Sequence, residues 1–182
     1  MSSLPRRAAT RQLELWLGEP AAALEALQRS DAIFARLGER LTRSTTQAFL
    51  AHAHWRLGNA DAASAAIRVA EELGGTDDVG TMIETHRLRA EMALAGGDRE
   101  AAERWARSAV DHALSTDGIV DQATTRLDLA RVLGALARHH EAISEAQTAL
   151  ELFEAKQDRP GAERTRALLV DLQAASSTEP PG

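Results

Sequence analysis

Four short blocks recur along this 182-residue sequence at a nearly constant step. They read Gly18-Glu-Pro-Ala-Ala-Ala23-Leu-Glu-Ala-Leu27, Gly58-Asn-Ala-Asp-Ala-Ala63-Ser-Ala-Ala-Ile67, Gly97-Asp-Arg-Glu-Ala-Ala102-Glu-Arg-Trp-Ala106 and Ala137-Arg-His-His-Glu-Ala142-Ile-Ser-Glu-Ala146. Along the series Ala23, Ala63, Ala102 and Ala142 the numbering advances by 40, 39 and 40. Three places beyond each block come Ser30, Ala70, Ala109 and Ala149, again small. A fixed step of this size marks one supersecondary unit that buries its apolar face by stacking on copies of itself.

Each block has the physics of a helical hairpin. A helix ends at Gly, which takes the left-handed conformation without penalty. In the short polar turn that follows, Asn59 and Asp98 are suited to cap the next helix and Pro20 to open it. The recurrent small residue then sits where two antiparallel helices approach most closely, and the apolar residue four later lies on the same face. Breaks at Gly38-Glu39, Gly74–Asp78, Ser115–Gly118 and Lys156–Pro160 separate the hairpins. The expected helices cover about 5–17, 20–37, 41–57, 60–73, 78–95, 99–114, 119–137, 139–156 and 160–174. They group into repeats at about 5–37, 41–73, 78–114 and 119–156, a capping helix at 160–174 and a disordered tail at 176–182.

Composition supports an all-α chain. Hydrophobic residues make up 44% of the sequence but aromatic ones only 3%, so alanine, the best helix former, supplies much of the apolar content. Sheets favour β-branched and aromatic residues instead. No cysteine is present, which excludes disulfides, thiolate metal sites and cysteine nucleophiles. Arg6-Arg7 is followed by no apolar run of export-signal type, and no apolar stretch reaches bilayer-spanning length. The expectation is a cytoplasmic protein without a membrane partner. A formal charge of −6 argues against nucleic acid, whose phosphates call for an excess of Lys and Arg.

The pattern Leu50-Ala51, Gly58, Ala63, Ile67, Ala70 resembles the tetratricopeptide repeat, as do Ala90, Gly97, Ala102, Ala109 and Leu129-Ala130, Ala142, Ala149. The likeness covers about residues 8–174. Gln47 and His54 stand where the family has Trp and Tyr, the closing Pro is missing, and the step exceeds the usual one of about 34. The run from Leu127 to Ala162 is similar to tetratricopeptide segments of large bacterial, chiefly actinobacterial, signalling proteins, both ATPase regulators and cyclase-linked regulators. The resemblance implies a right-handed helical solenoid of four hairpins plus a C-terminal helix, acting as a regulatory protein-interaction module.

No arrangement of residues points to catalysis. Lys156, the sole lysine, lacks the glycine-rich run of a phosphate loop. His140-Glu141 begins like a zinc-protease helix, but Ser144 occupies the place of the second histidine. His52 and His54 are two apart on a helix and point to different sides, while His86 and His112 stand alone in the sequence. Neither a metal nor a cofactor is expected. The Arg clusters are matched by acids at helical spacing, as in Glu103 and Arg107.

The resemblance implies that the first helix of each hairpin lines a concave side. On that basis His52, Trp55, Arg56, Arg87, Glu91 and Arg131 are expected to form a mixed-charge groove with one aromatic anchor. Such a groove suits a protein or peptide partner that carries carboxylates, which Arg holds bidentately. Trp105, whose counterparts are Ala26, Ala66 and Glu145, is a possible surface anchor or a cover for a gap between small residues. The exposed ends of a solenoid make a homodimer possible. A small-ligand or signal-peptide sensor is the alternative to a binding scaffold, and an enzyme with a dispersed site is a third class.

Overall fold

The computed structural model describes residues 18–178, and all regular structure among them is helical. Eight helices follow one another: α1 (Pro20–Leu37), α2 (Arg40–Arg56), α3 (Ala60–Gly74), α4 (Val79–Ala95), α5 (Arg99–Leu114), α6 (Ile119–Ala135), α7 (His139–Ala155) and α8 (Arg159–Thr178). The helix expected near 5–17 lies outside the described residues. The last helix departs from expectation, because α8 continues to Thr178 where the sequence predicts a disordered tail from 176. Residues 179–182 lie outside the description.

The turns follow from local chemistry. Gly58 and Gly97 adopt φ of 77° and 82°, the left-handed region that a Cβ makes costly. Ala137, at the same register, takes φ of 62° without that exemption. Pro20 occupies the first turn of α1. Asp98 caps α5 by accepting the Ala101 N–H at 3.0 Å, whereas Asn59, expected to do the same for α3, makes no side-chain cap bond. Asp78 precedes α4, accepts the Thr81 N–H at 3.2 Å and also accepts the Ser44 hydroxyl of α2.

The chain divides after Thr85, within α4, into two compact units. In the first, α2 packs against both α1 and α3. In the second, α6 packs against α5 and α7, and α8 lies against α7 and, more lightly, α6. The recurrent alanines are the crossing points: Ala23 is 3% exposed, and Ala63, Ala102 and Ala142 are fully buried. Side chains this small let helix backbones approach closely, and Leu and Phe side chains then fill the space to either side. In the second unit, Ala102, Ala106, Ala142 and Ala146 meet Leu129 and Leu133, and Phe153 packs among Ala123, Leu127, Ala149 and Ala162.

A second period emerges from the buried polar groups. Thr46, Thr85, Thr125 and Thr165 follow at steps of 39, 40 and 40, and all are buried. Each hydroxyl donates to the carbonyl four residues earlier, at 2.8, 3.0, 2.9 and 2.8 Å. A buried hydroxyl normally demands a partner, and this backbone bond supplies one inside the same helix. The column places α8 in sequence register with α2, α4 and α6. Val170 extends the series Ala51, Ala90, Ala130 by one more such step. Those alanines are buried, while Val170 is 64% exposed, so α8 is a first-type helix whose crossing position is uncovered.

Candidate functional site

The six expected groove residues divide evenly between the units. In the first, the Nε2–H of His52 donates to the Glu84 carbonyl at 3.2 Å and lies 3.3 Å from the Glu84 carboxylate. Both partners are acceptors, so the proton sits on Nε2. Trp55 is half-buried near the end of α2, and Arg56 is exposed as its last residue. His54 turns elsewhere, into a shallow cleft against α1 and α3.

In the second unit Arg87 and Arg131 meet through a residue absent from the expectation, Asp128. Arg87 Nε donates to Asp128 Oδ2 at 2.7 Å, and Arg131 Nη1 donates to Oδ1 at 2.9 Å. Arg87 and Asp128 are each about one-fifth exposed, and Arg131 about one-half. Two guanidiniums therefore share one carboxylate. Glu91 is half-buried one turn along α4 from Arg87. The link from Asp128 to Arg131 is legible as an i,i+3 pair. The link to Arg87 spans about one repeat, and no local spacing reveals it.

Trp105 is half-buried on α5. Its ring lies 4.8 Å from that of His86, with the guanidinium carbons of Arg89 and Arg104 at 5.1 and 5.7 Å from its centroid. His86 Nδ1 pairs with Ser108 Oγ at 3.0 Å, and the His112 ring is 5.0 Å from His86. The two histidines that stand alone in the sequence are thus neighbours in space, one on α4 and the other on α5. Among the described residues no three His, Asp or Glu side chains converge to hold a metal ion.

A further charge cluster surrounds the turn before α7. Arg138 forks onto Glu141 with two bonds of 2.6 Å and reaches Glu103 at 2.6 Å, while Arg107 donates to Glu103 at 2.8 Å. The bonds from Arg107 and then Arg138 hold the Glu103 carboxyl below its ordinary range. The bond from Arg138 does the same for Glu141. The expected Glu103 and Arg107 pairing is present; its extension to Arg138 joins two hairpins. Arg43 of α2 pairs with Asp31 of α1 at 2.9 Å, and Arg40 donates to the Glu72 carbonyl at 3.2 Å, near the end of α3.

No family model and no curated protein sequence matches this chain. Among solved structures it is similar to BtubC (BKLC) from P. vanneervenii, with a TM-score of 0.54 and 16% identity. That match covers 100% of this chain and 95% of the other. At such identity the likeness speaks for the helical fold alone. No described helix is long and apolar enough to cross a membrane.

Proposed function

We propose that this chain is a non-catalytic binding scaffold of the tetratricopeptide kind, a right-handed solenoid that takes up a protein or peptide segment bearing carboxylates. The observation that carries this reading is the pair of guanidiniums, Arg87 and Arg131, gathered on Asp128 by the first helices of successive hairpins. An Arg already held by a carboxylate has little conformational freedom left to lose, and its planar fork matches a second one. Arg131, about one-half exposed, presents that fork to an incoming acid. In the first unit the exposed Arg56 adds a further guanidinium at the end of α2, on the helix that also carries His52 and Trp55, and Glu91 adds the opposite charge on α4 in the second. A regulatory role in the bacterial cytoplasm accords with the resemblance in the sequence, and pairing of solenoid ends would give a homodimer. The acidic balance of the chain sets nucleic acid aside.

Capture of partners on the full chain, followed by affinity measurement with Arg131→Ala and Arg56→Ala, tests the reading. Each loss should weaken binding by about tenfold, equivalent to ~1.4 kcal/mol, and the binding should weaken with salt. Unchanged affinity in the double variant would end the proposal. The alternative reading, a small-ligand sensor, is favoured by the cleft of the first unit.

A further inference from the structure

The cleft between α1, α2 and α3 lies wholly in the first unit and has a volume of about 380 Å³. That is at the lower end of ligand clefts, which run from roughly 300 to 1,000 Å³. Its origin is visible in the repeat. Gln47, Leu50, Ala65 and Ala66 line it, and one repeat step, here 39, carries them onto His86, Arg89, Arg104 and Trp105. In the third hairpin those four side chains form one stack, with the indole tilted against imidazole and two guanidiniums over it. In the second hairpin the equivalent backbone carries a methyl where the indole stands, so the walls remain and the ring does not.

The geometry points to a binding site here for a flat, N–H-bearing aromatic ring of the indole type, uncharged or carrying an amine. Ala62, Ala65, Ala66 and Val69 offer the ring an apolar floor, and Leu50 closes one side. Gln28 and Gln47 place amide carbonyls around it as acceptors for the ring N–H, while the Asp31 carboxylate on the same lining is engaged by Arg43 at 2.9 Å. Among the described residues that line the cleft there is no Lys or Arg to offset the charge of an acidic ligand, and the lining carboxylate, Asp31, already holds Arg43, so a carboxylate on the ring gains nothing here. His54 also lines the cleft, and its Nδ1 is buried with no hydrogen-bond partner. This site is separate from the Arg87 and Arg131 arrangement and stands independently of the peptide-binding reading.

Saturation-transfer NMR on the full chain, with indole, tryptamine and indole-3-acetate as probes, tests the assignment. Indole and tryptamine should bind with Kd on the order of a millimolar or below, as suits so small a ring, and indole-3-acetate at least about tenfold more weakly. Ala66→Trp rebuilds the indole of the third hairpin in place. It should raise the melting temperature and abolish the probe signal. Gln47→His supplies the imidazole that stacks in the third hairpin and should tighten indole binding severalfold. Absence of binding to the wild-type chain, preference for the acidic probe, or undiminished binding to folded Ala66→Trp would each overturn the proposal. If Ala66→Trp does not fold, Gln47→His decides, and no tightening in that variant also overturns it.

Discussion

Gly161→Ala sets two elementary effects against each other at one site. Gly161 lies in the first turn of α8, where alanine should stabilise the helix by up to ~1 kcal/mol. The space beside it argues the other way. A Cβ built on Gly161 would lie 2.5, 2.6 and 2.8 Å from Cδ1, Cε1 and Cγ of Phe153. Carbon atoms rest at about 3.5–4.0 Å, so the ring would have to withdraw by roughly 1 Å. Phe153 is 1% exposed and packs against Ala123, Leu127, Ala149 and Ala162, so its withdrawal must displace them. Overpacking costs about 1–3 kcal/mol, and three ring contacts under 3.0 Å place this site in the upper half of that range, so against a gain of ~1 kcal/mol the balance is a loss of about 1–2 kcal/mol. For a chain of this length each kcal/mol lowers the melting temperature by about 2–4 °C, which circular dichroism at the helix band follows directly. The cap bond from Gly161 N–H to Asp158 survives the substitution, so the loss reports on the ring alone. Repeating the substitution in a Phe153→Leu background should remove most of the penalty, giving a coupling of about 1–2 kcal/mol. Gly80→Ala is the control: its nearest neighbour would be Asp78 Oδ1 at 3.7 Å, and stability should rise by up to ~1 kcal/mol. A Gly161→Ala protein as stable as the wild type would refute the reasoning.

Three further outcomes are expected. Ala137→Gly relieves the positive φ of 62° and should raise stability by roughly 0.5–1 kcal/mol in thermal melts, since the left-handed penalty exceeds the added freedom of the unfolded chain. Asp128→Ala removes the carboxylate shared by Arg87 and Arg131 and should cost roughly 1–2 kcal/mol in urea titrations; with both guanidiniums released, capture of an acidic partner should weaken as well. Glu103 is held below its ordinary range, so its contribution is present above the unfolded carboxyl pKa of about 4.3 and is lost as pH falls through the lower folded value. Melting temperatures of wild type and Glu103→Gln should therefore differ at pH 7 and converge on acidification; a constant gap would show that the ion pairs play no part.

The candidate sites are only partly legible in the sequence. Arg87 and Arg131 each lie on the face of a first helix close to a recurrent alanine, and both do meet one cluster. Asp128, which joins them, is hidden because it sits among the apolar residues Leu127 and Leu129 and its second partner is a full repeat away. The grouping of Trp105 with His86 and His112 is hidden for the same reason, since its contacts cross from α4 to α5 and no helical spacing announces them. The cleft of the first unit is different, because its signal is in the sequence. Ala66 against Trp105 is a difference between aligned repeats, and reading it as a missing ring requires only the repeat step. The threonine column at 46, 85, 125 and 165 is equally accessible, and it places the last helix in the register of a first-type helix.

Local physical chemistry settles most of the element boundaries before any packing is considered. Glycines that reach the left-handed region, an aspartate that accepts an N–H at a helix start, and alanines that return once per hairpin act over one or two turns of chain. Their effects can therefore be read in order along the sequence. The tertiary structure decides what the side chains do once those helices lie together: which carboxylate Arg87 meets, and whether Phe153 leaves space for one more methyl. These depend on distances between atoms a repeat apart, set by helix packing to fractions of an ångström, and a one-dimensional pattern carries no such distance.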